Sequence, residues 1–267
     1  MQLTSLTLAQ AGLLISRHEI SPVELVQAHL ERIGKLDARL NSFITVTAED
    51  ALARAHSVEQ EIMKGGIRSS LHGLPLALKD LFETEGVATT AGSAFFKEYR
   101  PAEDCAAARQ LKQAGAILLG KLNMHEIALG VTNVNPHFGP CRNPWDTTRI
   151  SGGSSGGSAA AVSAGLCLGA LGTDTGGSIR IPAALCGVVG FKPTRGRISL
   201  RGVIPLSWNL DHVGPLARRV MDAAVLLQAL AGYDAEDVYS VNVPVADYST
   251  GLDSGVRGWS TSASLTA

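Results

Sequence analysis

Two glycine- and serine-rich runs carry the residues best suited to chemistry: Gly152-Gly153-Ser154-Ser155-Gly156-Gly157-Ser158 and Thr173-Asp174-Thr175-Gly176-Gly177-Ser178. Twelve of the 29 glycines fall between Ser151 and Gly196, which points to a site there. Glycine is used where backbone takes unusual angles or approaches another group closely, and consecutive N–H groups in such turns can converge on an anion. The first run leads straight into Ala159-Ala160-Ala161-Val162, a helix former, which argues against a flexible linker. A serine in such a turn becomes a nucleophile only when a neighbouring base takes its proton. Lys79 ends the apolar run Leu74-Pro75-Leu76-Ala77-Leu78 and is expected at a buried strand terminus. Burial would lower its pKa from about 10.4 toward the ~7–8 that a base needs at neutral pH.

Other motifs fit less well. Gly153-Ser154-Ser155-Gly156-Gly157 matches the nucleophile elbow G-x-S-x-G, with Ser155 as nucleophile. That alternative needs a downstream acid and histidine, and the only histidine after Ser155 is His212, beside Asp211. Gly115 to Lys121 has P-loop spacing, but Leu122 replaces the magnesium-binding hydroxyl. His125-Glu126 begins like a zinc-protease helix, but the second histidine position is Leu129. No metal site and no cofactor is expected.

The elements that must position these residues read as α/β. Ser21-Pro22-Val23-Glu24 is a capping box opening a helix, and a short strand is expected over Ser42 to Val46. A helix from Thr47 to about Gly65, a helix over 103–113 and a strand over Ala116 to Leu119 follow. The glycine runs bracket a helix near 157–165 and a strand near 167–173; a strand near Val188 to Phe191 and a helix over Met221 to Ala231 complete the pattern.

The chain has 267 residues, 45% of them hydrophobic, enough for a large core and too apolar for disorder. Its net charge of −1 argues against a nucleic-acid binder or a polybasic membrane-surface protein. The uncharged stretch from Ile150 to Thr173 is half Gly/Ser, too short in apolar residues for a membrane span. Cys105, Cys141, Cys167 and Cys186 are far apart and no leader pattern follows Met1, so a cytoplasmic protein with plain buried cysteines is expected. Residues 248–267, mostly Ser, Thr, Gly and Ala after Ser249, are expected to be a disordered tail.

The runs Gly152 to Ala161, Gly172 to Ala183 and Gly187 to Thr194 resemble the amidase signature family. So do Leu71 to Asp80, Thr89 to Ser93, Gly120 to Met124 and Arg142 to Asp146, and the resemblance covers roughly residues 5 to 247. It implies an α/β amidase-signature fold: a mixed central β-sheet sandwiched between helix layers, with residues 1–247 forming one incomplete domain. Family members usually continue for almost as long again, and their later segment completes the sheet and supplies part of the acyl pocket.

The resemblance implies a Ser–cis-Ser–Lys triad. Ser178 falls on the nucleophile, Ser154 on the bridging serine held by a cis peptide, and Lys79 on the base, at spacings of 24 and 75 residues. The backbone of Thr175, Gly176, Gly177 and Ser178 falls on the oxyanion hole, with Ser155, Asp174 and Arg180 as supports. Met124 is expected to line the substrate pocket and His212 to pack locally. The implied function is hydrolysis of a small-molecule carboxylic amide through an acyl-serine intermediate. One alternative is the glutaminase component of the aspartyl/glutamyl-tRNA amidotransferase, which releases ammonia from glutamine for its partner subunits. Another is a catalytically incomplete remnant or interaction protein. The partners implied are the amide, a second copy in a homodimer, or partner subunits under the amidotransferase reading, with no membrane and no direct nucleic-acid contact.

Overall fold

In the computed structural model of the chain, which describes residues 2–252, helices and strands follow in the order α1 (Leu8–Ser16), α2 (Pro22–Leu40), β1 (Phe43–Val46), α3 (Ala48–Gly65), β2 (Pro75–Lys79), α4 (Ala106–Gln113), β3 (Ile117–Leu122), β4 (Val134–Asn135), β5 (Gly139–Pro140), α5 (Gly156–Ser163), β6 (Gly169–Thr173), α6 (Arg180–Cys186), β7 (Val189–Gly190), β8 (Val213–Ala217) and α7 (Val220–Leu230). Six strands form one mixed sheet in the order β1-β3-β2-β6-β8-β7, and β4 pairs with β5 separately. β2 runs parallel to both β3 and β6, whereas β8 is antiparallel to β6 and to β7. The α/β mixed-sheet architecture is therefore the one implied by the sequence.

Both sheet faces are covered. A Cβ at Gly169 would meet Leu226 of α7 and lie near Leu8 of α1, while one at Gly172 would meet Ser155 beside α5. These glycines are an odd number of residues apart on β6, so they face opposite sides of the sheet. α7 and α1 thus cover one face and α5 the other. α5 is uncharged and buried along Gly156 to Val162, as a helix packed all round must be. Gly157 allows its approach: a Cβ there would lie 2.4 Å from the Asn123 carbonyl oxygen and 2.5 Å from that of Ser42.

Local signals explain most boundaries. The capping box of α2 is complete: Glu24 N–H donates to Ser21 Oγ at 3.1 Å, and Ser21 N–H to Glu24 Oε2 at 3.0 Å. α4 begins at Ala106, later than the expected 103, because Cys105 caps it and the Asp104 carboxylate binds Lys112 instead. α1, α6 and β8 are elements that the sequence patterns do not announce. α1 carries a Thr7–Gln10 capping box. β8 contains Gly214 and Pro215, which disguise it; Pro215 has no N–H to give, and its carbonyl accepts from Phe191 N–H at 3.0 Å.

At the far end, Tyr248 N–H donates to Gln228 Oε1 at 3.0 Å and Arg197 Nε donates to the Tyr248 hydroxyl at 2.5 Å. The expected tail thus begins with an anchored residue, and its part over 253–267 lies outside the described residues. All four cysteines are buried and free. Among the described residues no helix is long and apolar enough to cross a membrane.

Candidate active site

The parallel pairing of β2 and β6 brings Lys79 and Thr173, the last residues of their strands, to the same end of the sheet. Carboxyl ends of parallel strands are where open α/β sheets place ligands. Lys79 is fully buried, and its Nζ donates to Thr173 Oγ1 at 2.8 Å and to Ser154 Oγ at 2.7 Å. Ser154 follows a cis peptide bond from Gly153, and its carbonyl accepts from His125 N–H at 3.1 Å. Burial lowers the Lys79 pKa to about 7, against the pull of the Asp211 and Asp174 carboxylates, which favour the ammonium. Sequence reasoning misses Thr173; its one signal is its place at the head of the second glycine run.

Ser178 is 8% exposed, on the segment that enters α6. Its carbonyl accepts from Ser155 N–H at 3.0 Å, which ties the two glycine-serine runs together. Among the described residues the Ser178 hydroxyl has no hydrogen-bond partner, and none joins it to Ser154. The turn is held by Asp174, whose Oδ1 accepts from Gly177 N–H at 2.8 Å and Oδ2 from Ile179 N–H at 3.1 Å. Arg180 brackets the same carboxylate through Nε at 3.0 Å and its terminal NH2 at 2.9 Å. Burial opposes the Asp174 charge, but the Arg180 side chain and the backbone donors hold its carboxyl below the usual range.

These contacts refine the expected oxyanion hole. Gly177 N–H is occupied by Asp174, so it is not a free donor in this structure. The N–H groups of Thr175, Gly176 and Ser178 have no protein partner among the described residues. Gly177 matters instead for the turn, since it sits at φ +139°.

The remaining expected residues divide. Ser155 is fully buried, and its hydroxyl donates to the Thr173 carbonyl at 3.1 Å, so it braces β6 and is not poised as an elbow nucleophile. Met124 is also fully buried, with its carbonyl bound by Asn135 Nδ2 at 2.9 Å; it belongs to the core, not to a pocket wall. Lys192 Nζ donates to His212 Nε2 at 3.3 Å, and the His212 Nδ1–H donates to the Leu210 carbonyl at 2.7 Å, local packing as expected. No group of three or more His, Cys, Asp or Glu suited to a metal ion occurs among the described residues.

A base that must be neutral gives a pH signature. Because the Lys79 pKa is lowered to about 7, reactivity at Ser178 is expected to rise with pH and reach half its plateau near that value. Measuring the rate of Ser178 acylation or phosphonylation from acid to mildly alkaline pH checks this. A rate flat across neutrality would exclude Lys79 as the titrating base.

Comparison with known proteins agrees with the fold. The Amidase family model matches residues 24–258. A glutamyl-tRNA(Gln) amidotransferase subunit from Geobacter sp. strain M21 is 49% identical over 258 residues, 97% of this chain and 53% of that protein. The solved peptide amidase from Stenotrophomonas maltophilia superposes with a TM-score of 0.87 at 40% identity, covering 91% of this chain and 51% of that one. The corresponding glutamyl-tRNA(Gln) amidotransferase subunit from Thermotoga maritima superposes at 0.80 with 38% identity, covering 92% and 51%. The chain spans about half the length of the curated relatives it matches. With the family model matching most of its length and the mixed sheet shared with solved amidases, this chain belongs to the amidase signature family.

Proposed function

We propose that this chain carries the catalytic residues of an enzyme that hydrolyses carboxylic amides, with residues 1–247 forming one domain, incomplete by comparison with the family. The observation that carries the reading is the fully buried Lys79 amine 2.7 Å from Ser154 Oγ, with Ser178 on the adjoining turn. In its neutral form Lys79 accepts the Ser154 proton as Ser154 takes that of Ser178. Ser178 Oγ then adds to the amide carbon, and the oxyanion lies against the N–H groups of Thr175, Gly176 and Ser178. Such a donor is worth ~3–4 kcal/mol in the transition state. The proton returns through Ser154 to the departing nitrogen, and ammonia or an amine leaves an acyl-Ser178. Water, deprotonated along the same relay, cleaves that ester and regenerates the serine. Asp174, Arg180 and Ser155 hold the turns, and no cofactor takes part.

The second reading is a glutaminase subunit of a tRNA-dependent amidotransferase. It is supported by the 49% identity to the Geobacter protein over 97% of this chain. Under it the amide is that of glutamine, the ammonia passes to partner subunits, and tRNA is bound by the partners. The chemistry at Ser178 is the same. Four free cysteines suit a reducing, cytoplasmic setting for either reading.

A fluorophosphonate is the direct test, since it traps an activated serine without needing a complete acyl pocket. Its mass is expected on the peptide containing Ser178. An adduct on Ser155 would restore the elbow mechanism, and no adduct on either serine would favour a catalytically incomplete remnant.

A further inference from the structure

Asp211 lies outside the two glycine runs, yet it meets the second one. It is 5% exposed, and its Oδ2 accepts from the backbone N–H groups of Leu206 at 2.8 Å and Ser207 at 3.0 Å. Its Oδ1 accepts from Thr175 Oγ1 at 2.5 Å. Beside it, Asp174 and His212 exchange backbone hydrogen bonds of 2.9 and 3.1 Å. The 206–212 segment thus holds this turn through the backbone of Asp174 and the side chain of Thr175. Few other ties exist on that side of the turn: Thr175 and Gly176 N–H have no protein partner among the described residues, and a Cβ at Gly176 would touch nothing within 4 Å. The Asp174 carboxylate holds only the later part, at Gly177, Ile179 and Arg180.

We propose that Asp211 is a positioning residue of this site: through Thr175 it orients the Thr175–Gly176 backbone that would receive the substrate oxygen. The inference rests on the amidase reading above. A rival role is purely local, with Asp211 closing the Leu206–Asp211 turn through Oδ2 alone. The two roles separate at Thr175, which that turn does not need.

The Asp211 charge has a defined sense. Lys79 feels Asp211 and Asp174, both favouring the ammonium, and its own charge is felt by the half-buried His125. Around Asp211, the adjoining cavity of about 400 Å³ brings Glu83, Arg201, Glu236 and Asp237 into the same wall, while Lys192 and His212 pair next to it. Arg201 is itself engaged with Asp234 at 3.0 Å and Glu236 at 3.2 Å. Removing the Asp211 charge therefore leaves Asp174 as the remaining carboxylate acting on Lys79 and lets the amine become neutral at lower pH.

The experiment compares the 267-residue chain with Asp211→Asn, Thr175→Val and Thr175→Ser by fluorophosphonate labelling of Ser178 across pH, with thermal unfolding of each. Asparagine can offer its oxygen to Leu206 and Ser207 N–H, so the fold is expected to persist, while its neutral amide replaces the charge-assisted bond that Thr175 Oγ1 donates with a weaker one of reversed direction. Asp211→Asn is expected to label at least about tenfold more slowly at its plateau, with its half-maximum moved to lower pH. Thr175→Val is expected to lose at least about tenfold, and Thr175→Ser, which keeps the hydroxyl, to recover most of that rate. Labelling of Asp211→Asn at the wild-type rate and pH midpoint overturns the proposal, as does a Thr175→Val variant no slower than Thr175→Ser. If Asp211→Asn fails to fold, the Thr175 pair decides alone. A wild-type chain with no adduct at Ser178 instead overturns the amidase reading, and this inference with it.

Discussion

Replacing Lys79 by alanine is expected to slow the reaction of Ser178 by about 10²–10⁴-fold, the usual contribution of a positioned base. The amine is fully buried and is the only titratable group within hydrogen-bond reach of Ser154 among the described residues. Its removal takes away the proton acceptor without touching the Asp174 clamp that shapes the Ser178 turn. The fold should survive, because a lysine held at a pKa of about 7 is stabilised poorly by its surroundings. His212→Ala is the control. Its side chain meets Lys192 and the Leu210 carbonyl, and neither belongs to the triad, so most of the rate should remain. Rates of fluorophosphonate labelling and of hydrolysis of a simple amide, with melting curves for both variants, decide the matter. A dead His212 variant beside an active Lys79 variant would sink the Ser–Ser–Lys mechanism.

The largest expected effect on stability lies beneath the site, at Lys121. This second lysine is 1% exposed, donates to the Phe82 carbonyl and to Thr89 Oγ1, both at 2.7 Å, and stands 3.4 Å from Asp80 Oδ1. Burial pushes Lys121 down and Asp80 up, and each charge opposes that push on the other. Asp80 also accepts from Thr90 N–H at 2.9 Å and from the Thr90 hydroxyl, fixing the 89–93 loop to the residue next to Lys79. Lys121→Leu leaves Asp80 buried without its cation, and breaking such a pair typically costs about 3–5 kcal/mol. Denaturant titration should show that loss, and Asp80→Asn combined with Lys121→Leu should recover part of it by removing the stranded charge. A single variant within about 0.5 kcal/mol of wild type would show that the pair contributes nothing.

Local patterns carry a large part of this protein. The Ser21 capping box and the helical spacing after it give α2, the unbroken apolar run before Lys79 gives a strand buried along its length, and the uncharged Ala159–Val162 segment gives the buried α5. Two glycine-serine turns flanking one helix and one strand mark a place for chemistry only in outline, because glycine reveals where backbone must bend or approach closely, but not which N–H group remains unpaired. Gly177 shows the difference: its type is legible, and the loss of its N–H to Asp174 is not. Thr173 and Asp211 escape the sequence for a related reason. Thr173 reaches Lys79 across 94 residues through the parallel register of β2 and β6, and Asp211 reaches Thr175 across 36 through the return of β8 alongside β6. Sequence alone determined residue chemistry and short-range element signals, because capping, periodicity and turn preference act within a few residues. Tertiary structure decided strand order, which N–H groups stay free, and which carboxylates face the buried lysine, because those depend on contacts between segments whose separation along the chain holds no trace of their distance in space.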